Sequence, residues 1–162
     1  MKPSLYVETT IPSFVVGEIS PTLLTAGHQY ATRQWWEERR HDYRLYISSL
    51  VEEEIGAGNE ENARRRLALV AGVTRLLIKP SAAKLADYLF DYLHLPQGAA
   101  PDAVHLALAS HFHVDYLLTW NLKHLANGQV RRALERLHDT KGVFIPTICT
   151  PEELLNRKDE IW

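Results

Sequence analysis

The stretch PDAVHLALASHFHVDYLLTWN, residues 101–121, decides the fold. Its first part, Pro101 to His113, joins a proline suited to a first helical turn with a largely apolar pattern, and predicts a helix. The segment Tyr116 to Trp120 is a short apolar run of the kind that forms a buried strand. A helix that leads directly into a buried strand is typical of a parallel sheet covered by helices.

The same alternation extends along the rest of the chain. Five runs are short and apolar enough to be buried strands: Leu5 to Glu8, Leu45 to Ser48, Leu76 to Lys79, Tyr116 to Trp120 and Val143 to Ile145. Helical patterns lie around them: Pro21 to about Arg40, Leu50 to Ala57, Glu60 to Ala71, Ser81 to Leu93, Pro101 to His113, Val130 to His138, and a last short helix from Glu152 to about Arg157. The alternation predicts an α/β fold with a mainly parallel five-stranded sheet.

The length and composition fit one ordinary globular domain. The chain has 162 residues, of which 46% are hydrophobic and 23% charged, and we predict a single domain over residues 1–162. No apolar run approaches the roughly 18 residues needed to cross a bilayer. The lone cysteine, Cys149, cannot form an internal disulfide. These observations favour a cytoplasmic protein with no membrane segment.

The charge balance argues against a protein that coats nucleic acid. Its 18 basic and 20 acidic side chains give a formal net charge of -2, so any contact with nucleic acid must be local. Candidate basic patches are interpreted as solvated helix faces. They are Arg39 to His41, Arg64 to Arg66, and the group Arg131, Arg132 and Arg136.

Acidic residues follow the predicted strands, at the sheet edge where parallel sheets form their sites. Glu8 closes the first strand, a run of glutamates ending in Glu54 follows the second, and Asp102 opens the helix that leads into the fourth. Thr119 and Asn121 lie at the end of that fourth strand. Carboxylates that converge on one edge repel one another unless a cation lies among them.

The chemistry of these side chains indicates Mg²⁺ or Mn²⁺ as that cation. Both are hard ions that prefer oxygen ligands, and Mg²⁺ keeps several waters while binding a few carboxylates. An ion held in this way lowers the pKa of a bound water, orients a phosphate and stabilises the charge that develops on its oxygens. The reaction that follows is hydrolysis of a phosphodiester.

The chain resembles PIN-domain nucleases, and within them the VapC-like toxins of toxin–antitoxin pairs, over nearly its whole length. Four segments carry the resemblance: Tyr6 to Thr10, Ile47 through Ile55, Pro101 to Ala107, and Leu117 to Asn121. The resemblance implies a three-layer α/β/α fold, an acidic site for Mg²⁺ or Mn²⁺ and cleavage of RNA. It also implies frequent homodimers and often an antitoxin partner that blocks the site.

The resemblance assigns roles position by position. Glu8 falls where the family has its first Asp, Glu54 where it has its helix Glu, and Asp102 where it has its central Asp. These three are the expected metal ligands and catalytic acids. Asn121 falls where a fourth acid is common, and Thr119 where a supporting hydroxyl is usual.

The choice of Glu54 rests on helix geometry and on spacing. Only one of Glu52, Glu53 and Glu54 is expected to point inward, because successive helical residues lie about 100 degrees apart. The distance of Glu54 from Ser48 matches the family spacing, so we select Glu54.

Two departures from the family pattern motivate an alternative function. Glu8 is one methylene longer than the usual Asp, and Asn121 offers an oxygen without a negative charge. The alternative is therefore a catalytically degenerate PIN-like module that binds RNA or a protein. A nucleotide-binding domain lacks its glycine motifs in this sequence, and transfer through an aspartyl intermediate is disfavoured by Glu8.

Other polar and aromatic residues are interpreted as structural. His105 shares a helix face with Asp102, which would let it reach substrate, but a satisfied interior histidine is the favoured interpretation. Asp115 begins the fourth strand and is left out of the site, and a zinc pair at His111 and His113 is disfavoured by their spacing. In a regular helix Trp35 or Trp36 should face outward, which makes the segment Pro21 to Arg40 the candidate partner or dimer surface.

Overall fold

A computed structural model describes residues 1–156 as alternating strands and helices. The strands are β1 (Ser4–Val7), β2 (Arg44–Ser48), β3 (Thr74–Leu76), β4 (Tyr116–Leu118) and β5 (Thr147–Cys149). The helices are α1 (Thr10–Val16), α2 (Leu23–Glu38), α3 (Ser49–Ile55), α4 (Glu60–Val70), α5 (Pro80–Tyr92), α6 (Ala100–His111) and α7 (Gly128–Lys141). Short 3-10 turns occupy Arg40–Asp42, Gln97–Ala99 and Glu152–Leu154.

The strands form one parallel sheet in the order β3-β2-β1-β4-β5. β1 is central, with Leu5 opposite Leu45 on one side and opposite Tyr116 on the other. All four residues of β1 are buried. Because successive side chains of a strand point to opposite faces, the sheet must be covered by helices on both. The predicted three-layer α/β/α fold is confirmed.

Helix α6 shows how the sequence positions one side of the site. It is apolar nearly all round, with Leu106, Ala107 and Leu108 fully buried, so it packs inside the molecule between neighbours rather than on the surface. It lies against α5, and its first turn carries Asp102. A polar residue at the end of a buried helix is therefore held rigidly at the sheet edge.

Two predicted strands were misplaced. The last was expected at Val143 to Ile145, but β5 is Thr147–Cys149. The earlier residues are apolar because they pack against the core from a connection, and pairing with β4 begins only after Pro146, where the Thr147 N–H donates to the Asp115 carbonyl. β3 ends at Leu76 instead of running to Lys79, since Leu77 and Ile78 are exposed and a new helix begins at Pro80.

Several helix predictions also need correction. Helix α1 was not predicted, because it has only seven residues and contains a proline, Pro12, which is unfavourable inside a helix. Helix α7 begins at Gly128, two residues before the predicted Val130, since the Asn127 side chain accepts a hydrogen bond from the Val130 N–H and caps that end. The predicted last helix is a 3-10 turn at Glu152–Leu154, and Arg157 lies outside the described residues.

The expectation that Trp35 or Trp36 faces outward is wrong. Both are buried, because the rings pack against each other, Tyr43 contacts Trp35, and the Arg40 guanidinium lies 5.6 Å from the Trp36 ring centroid. The exposed apolar side chains of α2 lie elsewhere on the helix, at Leu23, Leu24 and Tyr30. None of the helices within residues 1–156 is long and apolar enough to cross a membrane.

Candidate active site

The strand order places a crevice between β1 and β4. The chain moves outward from β1 to β3 and then returns to the other side of β1, so the direction of strand order reverses between β1 and β4. In open parallel sheets, sites form at such a reversal, outside the carboxyl ends of the strands. Glu8 follows β1 and Thr119 follows β4 at this edge.

Glu8 is buried and held through one of its oxygens. Its Oε2 accepts hydrogen bonds from the Thr10 N–H at 3.0 Å, the Thr10 hydroxyl at 2.5 Å and the Thr119 hydroxyl at 2.8 Å. Its exposed fraction is 4%. Oε1 accepts no hydrogen bond from residues 1–156, which leaves this oxygen available to a ligand. The threonines therefore stabilise a buried charge and orient it.

Helix α3 turns one of its three acids toward the site. The Ser48 side chain caps the helix, and Val51 and Ile55 anchor its buried face. Glu54 lies beside Thr9, whose hydroxyl donates to Oε1 at 3.0 Å. Two other acids point away, because Glu52 pairs with Arg75 at 2.6 Å and Glu53 is exposed.

A histidine holds the Glu54 carboxylate. Nε2 of His105, which is 1% exposed, lies 2.6 Å from Oε1 of Glu54. Burial acts to raise the pKa of Glu54, but its interaction with His105 and the hydrogen bond from the Thr9 hydroxyl outweigh it and hold that pKa below its usual value. Glu54 is therefore ionised over the physiological range.

Asp102 is partly buried close to Glu54. Burial raises the pKa of Asp102, and the charge of Glu54 acts in the same direction, whereas Asn121, His105 and His124 lower it. Oδ1 of Asn121 accepts from the His124 N–H at 3.0 Å. Because that oxygen is engaged, the amide NH₂ of Asn121 is the group that faces Asp102 and lowers its pKa.

Thr119 connects two parts of the site. Its hydroxyl donates to Glu8 and accepts from the Asn121 N–H at 2.9 Å. The residue is fully buried. Thr119 therefore links Glu8, at the end of β1, to the turn that carries the partner of Asp102.

Sequence reasoning missed several residues that shape this site. Tyr6 and Ser48 form hydrogen bonds with each other and, through Tyr6, with His105. Tyr6 lies in an apolar strand, so its sequence position gave no signal. The pair Thr9 and Thr10 could have been found, because two hydroxyl residues directly follow a strand-ending acid.

Residues set aside from the site do lie away from it. Asp115 is at the amino end of β4, where its Oδ2 accepts from the Ser4 N–H and hydroxyl, both at 2.7 Å. The His113 ring stacks on Phe144. Burial raises the pKa of the Cys149 thiol to about 12, so this thiol stays protonated.

The donor set fits a hard divalent cation. Within residues 1–156, no three His, Cys, Asp or Glu side chains are close enough together to hold a metal unaided. Magnesium in proteins is commonly held by one or two carboxylates with waters completing its shell. Glu54 and Asp102 supply two carboxylates whose mutual repulsion a cation would relieve, and Glu8 has a free oxygen at the same edge.

Comparison with known proteins identifies the fold. No protein-family model and no curated protein sequence matches the chain. A chain of a toxin–antitoxin complex from Klebsiella pneumoniae is 19% identical, with 91% of this chain and 98% of that chain covered and a TM-score of 0.57. A chain of VapBC2 from Rickettsia felis, crystallised with a DNA fragment from its promoter, is 11% identical, with 90% and 97% covered and a TM-score of 0.52. The chain shares the fold of these proteins.

Proposed function

We propose that this chain is a Mg²⁺- or Mn²⁺-dependent endoribonuclease, the toxin of a toxin–antitoxin pair. The observation that carries the proposal is the position of Asp102 close to Glu54, on the same sheet edge as the buried Glu8. The fold shared with chains of toxin–antitoxin complexes supports it. We propose that the protein acts in the cytoplasm, where RNA is present.

The roles of the residues follow from their contacts. Glu54 and Asp102 would hold the cation, and the free Oε1 of Glu8 would contact a water bound to it. A bound divalent cation supplies a water of lowered pKa and a positive charge for the phosphate. Thr119 would orient Glu8 by donating to it, and the amide NH₂ of Asn121 would orient Asp102.

Neighbouring glutamates on α3 provide a matched test. Glu54→Gln removes the charge from an acid at the site, and Glu53→Gln removes it from an exposed acid one residue away. We expect Glu54→Gln to lower Mg²⁺-dependent cleavage of a labelled RNA by about 100-fold or more, because loss of a metal ligand weakens both binding and charge stabilisation. Glu53→Gln should cleave within about 2-fold of the wild type. Equal activity of the two variants would remove Glu54 from the site.

Partners of the protein form the second part of the proposal. Two solved structures that share the fold are a toxin–antitoxin complex and VapBC2, and we propose that this chain has an antitoxin partner. We also propose a homodimer, which light scattering tests directly against the 18.5 kDa of one chain. A single mass of 18.5 kDa over a range of concentrations would contradict the dimer.

A binding module that does not cleave is the second candidate function. Two features of the site favour this function. Oε2 of Glu8 already accepts hydrogen bonds from Thr10 and Thr119, and the side chain of Asn121 carries no charge. This candidate predicts that RNA binds with equal affinity in EDTA and in Mn²⁺, and that no cleavage follows. Cleavage that EDTA abolishes would exclude it.

A further inference from the structure

A buried chain of hydrogen bonds connects the three elements that carry the candidate site. It begins at the first turn of α3, where the Val51 N–H donates to the Ser48 hydroxyl at 3.3 Å. Ser48 Oγ lies 2.7 Å from the Tyr6 hydroxyl, which lies 2.8 Å from Nδ1 of His105. Nε2 of His105 then contacts Oε1 of Glu54 at 2.6 Å. This series of hydrogen bonds therefore starts at Ser48, the cap of α3, and ends at Glu54 in the same helix.

With a neutral imidazole, each hydroxyl and ring nitrogen in this series of hydrogen bonds has one assignment. An ionised Glu54 can only accept, so Nε2 of His105 must donate. In a neutral imidazole Nδ1 then accepts, and the Tyr6 hydroxyl must donate to it. Burial raises the pKa of Tyr6 well above its usual range, so this hydroxyl keeps its proton. Ser48 in turn donates to Tyr6, and the tautomer of His105 is fixed by its partners.

This series of hydrogen bonds contacts one oxygen of Glu54, Oε1, and does not contact the other, Oε2. Oε1 receives both Nε2 of His105 and the Thr9 hydroxyl. Oε2 accepts no hydrogen bond from the part of the chain that the structure describes. The Glu54 side chain is 33% exposed, so without these donors it would rotate freely on the surface of α3. Groups that hydrogen-bond a ligating carboxylate orient it and tune its affinity for metal.

We infer that His105 is a positioning residue, which fixes Glu54 through Oε1 so that Oε2 remains available to a divalent cation. The inference rests on the proposed function, because it gives Glu54 a cation to bind. Tyr6 supplies the hydrogen-bond partner of Nδ1 on the other side of the imidazole, and Ser48, at the N-terminus of α3, contacts Tyr6 in turn.

Calorimetric titration of the full-length protein with MnCl₂ tests this role without measuring catalysis. We expect His105→Leu, which cannot donate, to weaken Mn²⁺ binding by about 10-fold or more. In His105→Gln the amide nitrogen can still reach Glu54, so its affinity should stay within about 3-fold of the wild type. If the buried leucine prevents folding, His105→Asn takes its place in the titration. An asparagine side chain is too short to reach Glu54, so the same loss of Mn²⁺ affinity is expected.

Tyr6→Phe separates positioning from stability. It removes a buried hydroxyl and should lower the melting temperature, yet it leaves Nε2 of His105 beside Glu54, so Mn²⁺ affinity should change less than about 3-fold. An affinity that follows the melting temperature across all variants, whatever Nε2 donor is present, would overturn the inference.

The same titration separates this inference from the proposed function. Wild-type protein that binds no Mn²⁺ and cleaves no RNA would overturn both. Wild-type binding that persists unchanged in a folded His105→Leu variant would overturn the inference alone. The positioning role predicts loss in His105→Leu and recovery in His105→Gln.

Discussion

Glu8 is the residue at which this chain departs most visibly from an aspartate-based site. The structure provides a reason for the extra methylene, because Oε2 reaches the Thr10 N–H, the Thr10 hydroxyl and the Thr119 hydroxyl together. Trp120 adds to this arrangement, since its N–H donates to the Thr10 hydroxyl at 2.9 Å. The surroundings of Glu8 are thus built for a glutamate.

Shortening this side chain should therefore weaken the site. In Glu8→Asp the carboxylate cannot keep all its threonine donors, and we expect a loss of about 1–3 kcal/mol in the free energy of unfolding. RNA cleavage should fall by about 10-fold or more as the free oxygen moves away. Urea unfolding and a cleavage assay measure both effects. A Glu8→Asp variant more active than the wild type would contradict this interpretation.

At the scale of elements, helix α3 carries the candidate ligand Glu54, and the formation of this helix determines where that side chain lies. Its seven residues are too few for stable helix formation alone, so it depends on its cap and on burial of Val51 and Ile55. Ser48 caps the helix and also contacts Tyr6. The residue that begins the helix is therefore the one that begins the hydrogen-bond chain to Glu54.

Two helix caps can be compared to show this double role. Ser48 caps α3, and Asn59 caps α4 from an exposed position with one hydrogen bond to the Asn62 N–H. We expect Ser48→Ala and Asn59→Ala each to cost about 1 kcal/mol of unfolding free energy through the cap. Ser48→Ala should cost about 1 kcal/mol more than Asn59→Ala, because it also removes a hydrogen-bond partner of the buried Tyr6 hydroxyl. Equal losses of unfolding free energy in the two variants, measured by urea unfolding, would show that the Ser48 contact with Tyr6 adds no stability.

At the scale of the whole molecule, the two edges of the sheet have different tasks. The carboxyl edge gathers Glu8 and Thr119, while the amino edge is fastened by Asp115, which accepts from the Ser4 N–H and hydroxyl. This contact joins β1 to β4 at the opposite end from the site. Strand pairing and the Ser4 contact together fix the spacing of the crevice.

The amino-edge contact predicts a pH dependence of stability. Hydrogen bonds from the Ser4 N–H and hydroxyl hold the pKa of Asp115 below its usual range. Such a carboxyl adds stability above its unfolded-state pKa of about 4 and loses it as the pH falls through the lower folded-state pKa. Between about pH 6 and about pH 2, the wild type should lose more unfolding free energy than Asp115→Asn. Parallel pH profiles for the two proteins would contradict the assignment.

Hydrophobic patterning predicted the fold class and placed β1, β2 and β4 within two residues of their observed bounds, while β3 was predicted two to three residues late. It misplaced the last strand because Val143 and Ile145 are apolar for packing, and only backbone pairing distinguishes them from Thr147–Cys149. The outward tryptophan was wrong for a related reason, since α2 is covered around Trp35 and Trp36 by side chains distant in sequence. Tertiary contacts of this kind leave no local pattern.

The acids of the site could be selected from their positions after strands, but their hydrogen-bond partners could not. His105 was judged a satisfied interior group, and it is buried and satisfied, yet its partner is Glu54. Tyr6 and Ser48 are 42 residues apart in sequence, so only the folded chain brings their hydroxyls together. The metal-ligand roles of Glu8, Glu54 and Asp102 remain predictions.

Cleavage of a labelled single-stranded RNA, followed with and without EDTA, tests the central claim most directly when wild type and Asp102→Asn are compared. We predict that Mg²⁺ or Mn²⁺ supports cleavage by the wild type, that EDTA abolishes it, and that Asp102→Asn lowers its rate by about 100-fold or more. Cleavage that is unaffected by EDTA, or equal in Asp102→Asn and the wild type, would contradict a metal-dependent site built on these carboxylates.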